Sequence, residues 1–196
     1  MEKQEFTITL YTENSIGMIG RISNIFSRRK INIESLNTSP SEVEGIHRFT
    51  IVVTETEEVL RKICLQIEKQ IDVLKAYYNT NDELIWQEQA LYKVPAEVIA
   101  EKVQVERLLR QYGANAVVIR NDYIVFETAG HREEIDRLTE EMTQYGLTKF
   151  GRGARIAIIK ASAGFHSKLK KFEQREPSLE IVENEFLDQQ DKVFTM

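Results

Sequence analysis

The chain has very little cysteine and no long apolar run. Its single cysteine, Cys64, excludes an internal disulfide and predicts a reducing compartment. The opening residues MEKQEFTITL contain no apolar signal-peptide core, and no apolar run approaches the roughly 20 residues of a membrane span. These absences predict a cytoplasmic protein without a membrane partner.

An excess of basic residues is also missing. The 196 residues include 26 Lys and Arg against 31 Asp and Glu, which gives a formal net charge of −5. Because nucleic-acid binding needs a clustered basic surface, this charge argues against a nucleic-acid partner. The short basic run at residues 28–30 is soon followed by Glu34 and is typical of a solvated helix end.

Recognisable catalytic and metal-binding motifs are absent as well. The chain has no P-loop, no G-x-S-x-G and no H-E-x-x-H. His47, His131 and His166 are far apart, and none has metal-ligand spacing with a cysteine or carboxylate. Cys64 falls in the apolar stripe of a predicted helix, which is typical of a buried, inert thiol. The sequence therefore predicts neither a catalytic residue nor a metal site.

Two kinds of periodicity alternate up to residue 80. The segment FTITLYT alternates apolar and polar residues and predicts a half-buried strand. Apolar residues from Met18 to Phe26 then recur at helical spacing, with Asn14 or Ser15 available as the cap. The strands INIESLNT, IHRFTIVVT and DVLKAYYN and a second helix from Glu57 to Ile71 complete the order βαββαβ, which is the ferredoxin-like arrangement.

The same order recurs in the second half of the chain. WQEQALYKV predicts a strand, Pro95 opens a helix that ends at Gly113, and NAVVIR with YIVFETAG predicts a hairpin. A further helix ends at Gly146, and LTKFGRGARIAIIKA is strand-like with a kink at GRG. We therefore predict the α+β class, with two consecutive ferredoxin-like βαββαβ domains. Their expected bounds are 4–80 and 84–161, followed by a partly helical C-terminal extension over 162–196.

The start of the first helix is unusual. Gly17 and Gly20 lie in its opening turns, and no acidic residue lies there. Glycine costs roughly 1 kcal/mol in a helix, and acidic residues are the usual complement to the positive end of the helix dipole. The free amides of such an end can bind an anion, and the surrounding apolar residues suit a small side chain. Two interpretations stay open: an amino-acid site, or a capped helix whose glycines allow close packing on the sheet.

The stretch ENSIGMIGRISNIFSRRKINIESL resembles the opening of the regulatory (small) subunit of acetolactate synthase, also called acetohydroxyacid synthase. That family begins with an ACT domain, and the residues that match its opening pattern in register are Asn14, Gly17, Arg21, Phe26, Arg29, Asn32, Ile33, Ser35 and Leu36. The resemblance continues through VFETAGHREEIDRL and YGLTKFGRGARIAI to about residue 160. Gly20 and Lys30 depart from the pattern, which often has serine and glycine at these positions.

The resemblance implies regulation and not catalysis. Members of the family bind a catalytic subunit that carries thiamine diphosphate, Mg²⁺ and FAD, so no cofactor is expected in this chain. They raise the activity of that subunit and confer feedback inhibition by a branched-chain amino acid, usually valine. A free-standing amino-acid sensor without a catalytic partner is the alternative function that we keep, and a small ferredoxin-like enzyme would need an acid/base pair that we do not find.

The resemblance also implies where the effector binds. ACT domains of this type form a homodimer side by side, and the effector lies at the interface. The implied effector-binding residues are Asn14, Gly17, Met18 and Ile19 of one chain with Asn32 and Ile33 of its neighbour. Asn14 would orient the ligand, the amides at 17–19 would hold its carboxylate, and Asn32 and Ile33 would add a polar contact and an apolar wall.

Overall fold

The structure is a computed structural model that describes residues 2–101 and 103–161. The extension predicted over residues 162–196 lies outside the described residues. The chain divides into two compact units, of which the first contains residues 2–85 and 157–161 and the second contains Trp86–Ile156. The bounds 4–80 and 84–161 remain a prediction about which segments fold independently. No helix in the described part of the chain has the length and apolar character needed to cross a membrane.

The first unit contains the predicted βαββαβ order. Its elements are β1 (Gln4–Glu13), α1 (Met18–Arg28), β2 (Ser35–Pro40), β3 (Ile46–Glu55), α2 (Glu57–Glu68) and β4 (Val73–Thr80). The four strands are antiparallel and lie in the order β2-β3-β1-β4. Because β1 and β3 occupy the centre, β2 and β4 are the two edges of this sheet.

The core of the first unit lies between one face of the sheet and the two helices. Phe6, Ile8 and Leu10 alternate along β1 and are fully buried, and they share one apolar cluster with Ile22 and Phe26 of α1. Burial of a large apolar side chain stabilises the fold by roughly 1.5–3 kcal/mol. The two periodicities of the sequence therefore face each other across one core.

The prediction that β1 is half buried is wrong. Thr7 and Thr9, on its other face, are 0% and 2% exposed. On the same face Tyr11 packs edge-to-face on Tyr77, with ring centroids 6.4 Å apart, and Ile159 packs against this pair. Period-two alternation separates the two faces of a strand, but it does not show whether later residues of the chain will cover the polar face.

The second unit repeats the order. A short 3₁₀ turn of the first unit (Asn81–Glu83) leads into β5 (Leu84–Pro95), which is followed by α3 (Ala96–Glu101), α4 (Val103–Gln111), β6 (Asn115–Ile119), β7 (Tyr123–Gly130), α5 (Arg132–Gln144) and β8 (Lys149–Arg152). The last strand, β9 (Ile156–Ile159), belongs mostly to the first unit. The strands lie in the order β6-β7-β5-β8, and β9 also pairs with β5. The predicted α+β fold with two ferredoxin-like units is confirmed.

The predicted stops of the second unit are confirmed by the backbone. Gly113 and Gly146 follow α4 and α5 with φ of 62° and 91°, the left-handed conformation in which glycine ends helices. The kink predicted at GRG is also present, because β8 ends at Arg152 and β9 begins at Ile156. The glycines of the sequence therefore predict where these helices end and where the last strands are interrupted.

The core of the second unit contains a buried carboxylate. Glu88, on β5, is 2% exposed. Its Oε1 accepts a hydrogen bond from Nη2 of Arg132 at 3.2 Å, and its Oε2 lies 3.8 Å from Nε of Arg152. Because a buried charge needs partners of opposite charge, these two arginines compensate Glu88.

Candidate functional site

The turn between β1 and α1 is built around Gly17. This residue is the N-cap of α1 and has φ of 81°, a conformation that side-chain-bearing residues rarely adopt. Helix α1 begins at Met18, so only Gly20 of the two glycines lies within the helix. The prediction that Asn14 or Ser15 caps the helix is wrong, because no side chain hydrogen-bonds to the cap.

The N-terminal end of α1 lacks the side chains that usually complement a helix end. A helix has amides in its first turn without intrahelical acceptors, and a side-chain cap or an acidic residue usually complements them. Among the helices that the structure describes, α1 alone has no acidic residue in its first turn. Helix α5 shows the usual solution, since Glu134 accepts a hydrogen bond from the amide of His131 at 2.9 Å. The first turn of α1 thus has no side-chain cap and, as the sequence predicts, no acidic residue, and the amide of Met18 donates to the carbonyl of Ser15 at 3.4 Å.

Arg21 fixes the turn to the loop before β4. Its Nη2 donates hydrogen bonds to Oγ of Ser15 at 3.1 Å and to Oδ2 of Asp72 at 2.9 Å. The Arg21 guanidinium, followed by the Ser15 hydroxyl, holds the pKa of Asp72 below its usual range. Ser15 is therefore committed to Arg21 and does not cap α1.

Two backbone hydrogen bonds hold the same turn from either side. The amide of Glu13 donates to the carbonyl of Asp72 at 2.8 Å, and the amide of Asn14 donates to the carbonyl of Gly45 at 3.2 Å. The side chain of Asn14 is exposed. The backbone of the turn is thus positioned by the protein while the Asn14 amide group is available to a ligand.

A cleft of about 270 Å³ lies at this turn. It is lined by Thr12, Glu13, Asn14, Ser15, Gly17, Met18, Ile19, Thr38, His47 and Phe49. Its volume is near the lower end of the roughly 300–1,000 Å³ typical of ligand pockets, which suits a small molecule. The cleft brings together Asn14, Gly17, Met18 and Ile19, four of the predicted effector-binding residues.

The other two predicted residues do not line this cleft. Asn32 is exposed, and its Nδ2 donates a hydrogen bond to Oε1 of Glu34 at 2.9 Å. Ile33 is half-buried and packs against the core of the first unit. Both lie just before β2, and the prediction assigns them to the site of a neighbouring chain, so their role remains a prediction.

Five residues of the sheet line the cleft but are not among the predicted site residues: Thr12, Glu13, Thr38, His47 and Phe49. Thr12 of β1 pairs with His47 of β3, and Thr38 of β2 pairs with Phe49. Thr12, Thr38 and His47 each lie two residues along the strand from an apolar residue on the core face, as Thr12 follows Leu10. These positions can be identified from the sequence by counting in steps of two beyond the last apolar residue of each strand.

The residues rejected as catalytic have ordinary surroundings. Cys64 is 2% exposed in the core, and burial raises the pKa of its thiol, so the thiol is held in its unreactive protonated form. His131 is exposed at the start of α5, as the sequence predicted. In residues 2–101 and 103–161, no group of three or more His, Cys, Asp or Glu side chains could hold a metal ion.

Comparison with known proteins identifies the family. An AHAS small subunit-like ACT domain matches residues 8–75, and a model for the small subunit of acetolactate synthase matches residues 87–161. The acetolactate synthase small subunit of Bacillus subtilis is 31% identical over 156 residues, which cover 79% of this chain and 90% of that relative. The chain belongs to the acetolactate synthase small-subunit family. The family predicted from the sequence is confirmed.

Other members of the family are similarly related. The chain is 28% identical over 158 residues to a probable acetolactate synthase small subunit of Archaeoglobus fulgidus, covering 80% of this chain and 97% of the relative. The crystal structure of the Thermotoga maritima small subunit has a TM-score of 0.73 at 21% identity and covers 81% of this chain and 99% of that chain, which supports the fold. Relatives named as small subunits accord with the prediction of a non-catalytic regulatory subunit.

Proposed function

We propose that this chain is a regulatory subunit that binds the catalytic subunit of acetolactate synthase and raises its activity. We further propose that it confers feedback inhibition by a branched-chain amino acid, with valine the expected effector. The thiamine diphosphate, Mg²⁺ and FAD of the reaction belong to the catalytic subunit in this proposal. The observation that supports it most is a small cleft at a helix end that no side chain caps.

The cleft offers a partner to each part of an amino acid. The amides at residues 17 and 19 and the positive end of α1 suit the carboxylate, whereas the amide of Met18 donates to the carbonyl of Ser15 at 3.4 Å. Glu13 is the only acidic residue among those that line the cleft, and its carboxylate suits the ammonium group. Met18, Ile19 and Phe49 supply apolar surface for the side chain. These groups together support a zwitterionic ligand with a small side chain.

The edge of the first sheet supports the proposed homodimer. Strand β2 pairs with β3 on one side, and no described strand pairs with its other side. An unpaired edge presents free N–H and C=O groups to another strand, so two copies of β2 can join edge to edge. Because Asn32 and Ile33 immediately precede β2, this pairing would carry them toward the neighbouring chain.

Reconstitution with the catalytic subunit of the same organism tests the proposal. The purified chain is added to that subunit, and acetolactate formation is measured with and without valine, leucine and isoleucine. We expect activation by the chain and inhibition by at least one of the amino acids. Asn14→Ala should weaken the inhibition and leave activation largely intact. Saturable amino-acid binding without activation or co-purification would instead favour a free-standing sensor.

A further inference from the structure

The helix-facing side of the first sheet forms the floor of the cleft. Along each of three strands, the row of apolar side chains on this side ends in a polar residue at the cleft. On the helix-facing side of β3, Val53, Ile51 and Phe49 are at most 2% exposed, and the next residue of that row is His47. The rows of β1 and β2 change in the same way, from Leu10 to Thr12 and from Leu36 to Thr38. On β1 and β3 the changes are in register, because Thr12 pairs with His47, and on β2 the change comes one row earlier, where Thr38 pairs with Phe49. All three polar residues line the cleft.

Two of these polar side chains are available to a ligand. The Thr12 hydroxyl already donates to the carbonyl of Glu13 at 3.0 Å. Thr38 and His47, in contrast, make no side-chain hydrogen bond within residues 2–101 and 103–161. A hydroxyl can donate and accept, and a neutral imidazole has one nitrogen for each role. The floor can therefore satisfy a polar group on the ligand in either direction.

Apolar surface remains beside these groups. Phe49 is directly opposite Thr38 on the paired strands, at a distance where side chains on one face touch. Met18 and Ile19 line the cleft from the helix side. A β-branched side chain with one methyl and one hydroxyl would match this mixture, with the methyl on the apolar surface and the hydroxyl on the floor.

We propose that Thr38 and His47 hydrogen-bond a hydroxyl on the β-carbon of the effector, so that L-threonine binds at least as tightly as its isostere L-valine. This inference rests on the proposed amino-acid site and adds the chemical class of its side chain. A wholly apolar pocket rejects the added hydroxyl by roughly 10²-fold, whereas a hydrogen-bonding site favours it. The ratio of the two dissociation constants therefore reports the nature of the floor.

Calorimetric titration of the full chain with L-valine, L-threonine and L-allo-threonine tests the inference. L-allo-threonine exchanges the positions of the methyl and hydroxyl groups, so we expect it to bind more weakly than L-threonine. In Thr38→Val combined with His47→Phe, valine should bind tighter than threonine by about tenfold or more. Thr54→Val, an exposed change on β3 away from the cleft, should leave the ratio unchanged.

The outcomes separate the inference from the proposed function. Valine binding with threonine at least about tenfold weaker in the unmodified chain overturns the polar floor and leaves the effector site standing. Absence of binding by all three amino acids overturns the inference, and if leucine and isoleucine also fail to bind, the effector site itself is overturned. Equal ratios in the unmodified and doubly substituted chains overturn the roles of Thr38 and His47.

Discussion

The guanidinium of Arg21 lies 2.9 Å from the carboxylate of Asp72, a residue 51 positions later in the chain. The same arginine holds Ser15, and the backbone of Asp72 accepts a hydrogen bond from Glu13. One ion pair therefore joins the start of α1, the end of β1 and the loop before β4. The cleft is therefore positioned by Arg21 and Asp72, neither of which lines it.

Asp72→Asn tests this positioning. Asparagine tolerates the left-handed φ of 72° at this residue, so the change removes charge with little backbone strain. Because solvent screens this ion pair, we expect effector affinity to fall by no more than about fivefold. An affinity loss well beyond that range would show that Asp72 acts in some way other than by holding Arg21.

The same pair predicts a dependence of stability on acid. The pKa of Asp72 is lowered in the folded chain, so the pair adds stability above the unfolded pKa of about 3.9. That stability is lost as the pH falls through the lower, folded pKa. Urea midpoints measured from pH 6 down to about pH 3 should fall less in Asp72→Asn than in the unmodified chain. Asp122→Asn, in an exposed turn, is the matched control and should retain the original fall.

Gly17 and Gly20 offer a matched pair of alanine substitutions. An added Cβ would meet nothing within 4 Å at either position, so a clash affects neither result. Gly17→Ala must adopt φ near 81° at a cost of about 1 kcal/mol, and we expect it to displace the amides of the cleft and lower effector affinity. Gly20→Ala lies in the helix and should stabilise the chain by about 0.5–1 kcal/mol with affinity unchanged. Equal affinities for both variants would argue against an effector at this helix end.

Lys30 occupies a backbone position that favours glycine. It follows α1 with φ of 56°, and the amide of Ile31 donates to the carbonyl of Phe26 at 3.1 Å, as in a Schellman motif. Lys30→Gly should therefore raise the free energy of unfolding by about 1 kcal/mol, measured by urea titration. Lys30→Ala keeps the strained conformation and should give no such gain. A gain of the same size in both variants would place the effect in the lysine side chain and not in the backbone.

Much of this fold follows from the sequence because its periodicities are strong. Phe6, Ile8 and Leu10 on β1 and the helical spacing around Ile22 predict elements that the structure contains. The open end of α1 also follows, because it depends on which residues are absent. Spacing predicts that Gly17 lies inside the helix, but this residue is the N-cap of α1, because the φ of a glycine does not follow from spacing. Thr38 and His47 were missed because the cleft floor is formed by three strands whose register appears only after folding.

Glu88 illustrates the part of the core that periodicity does not reveal. Its position in the alternating pattern of β5 predicts burial, but its partners come from α5 and β8. Glu88→Ala removes a buried carboxylate that contacts Arg132 and Arg152 and leaves buried donors of both without it, which should destabilise the chain by about 2 kcal/mol or more. Glu106→Ala removes an exposed i,i+4 partner of Arg110 and should cost well under about 1 kcal/mol. Comparable losses in chemical denaturation would contradict the buried role of Glu88.

The proposed regulation depends on the binding of an amino-acid effector at the open end of α1. The most direct test is calorimetric titration of the full chain with valine, leucine and isoleucine, repeated on Asn14→Ala, whose side chain is exposed and whose removal should not disturb the fold. We expect saturable binding of one of these amino acids to the unmodified chain and its loss in Asn14→Ala. Binding of equal strength in both chains would place the effector elsewhere in the protein.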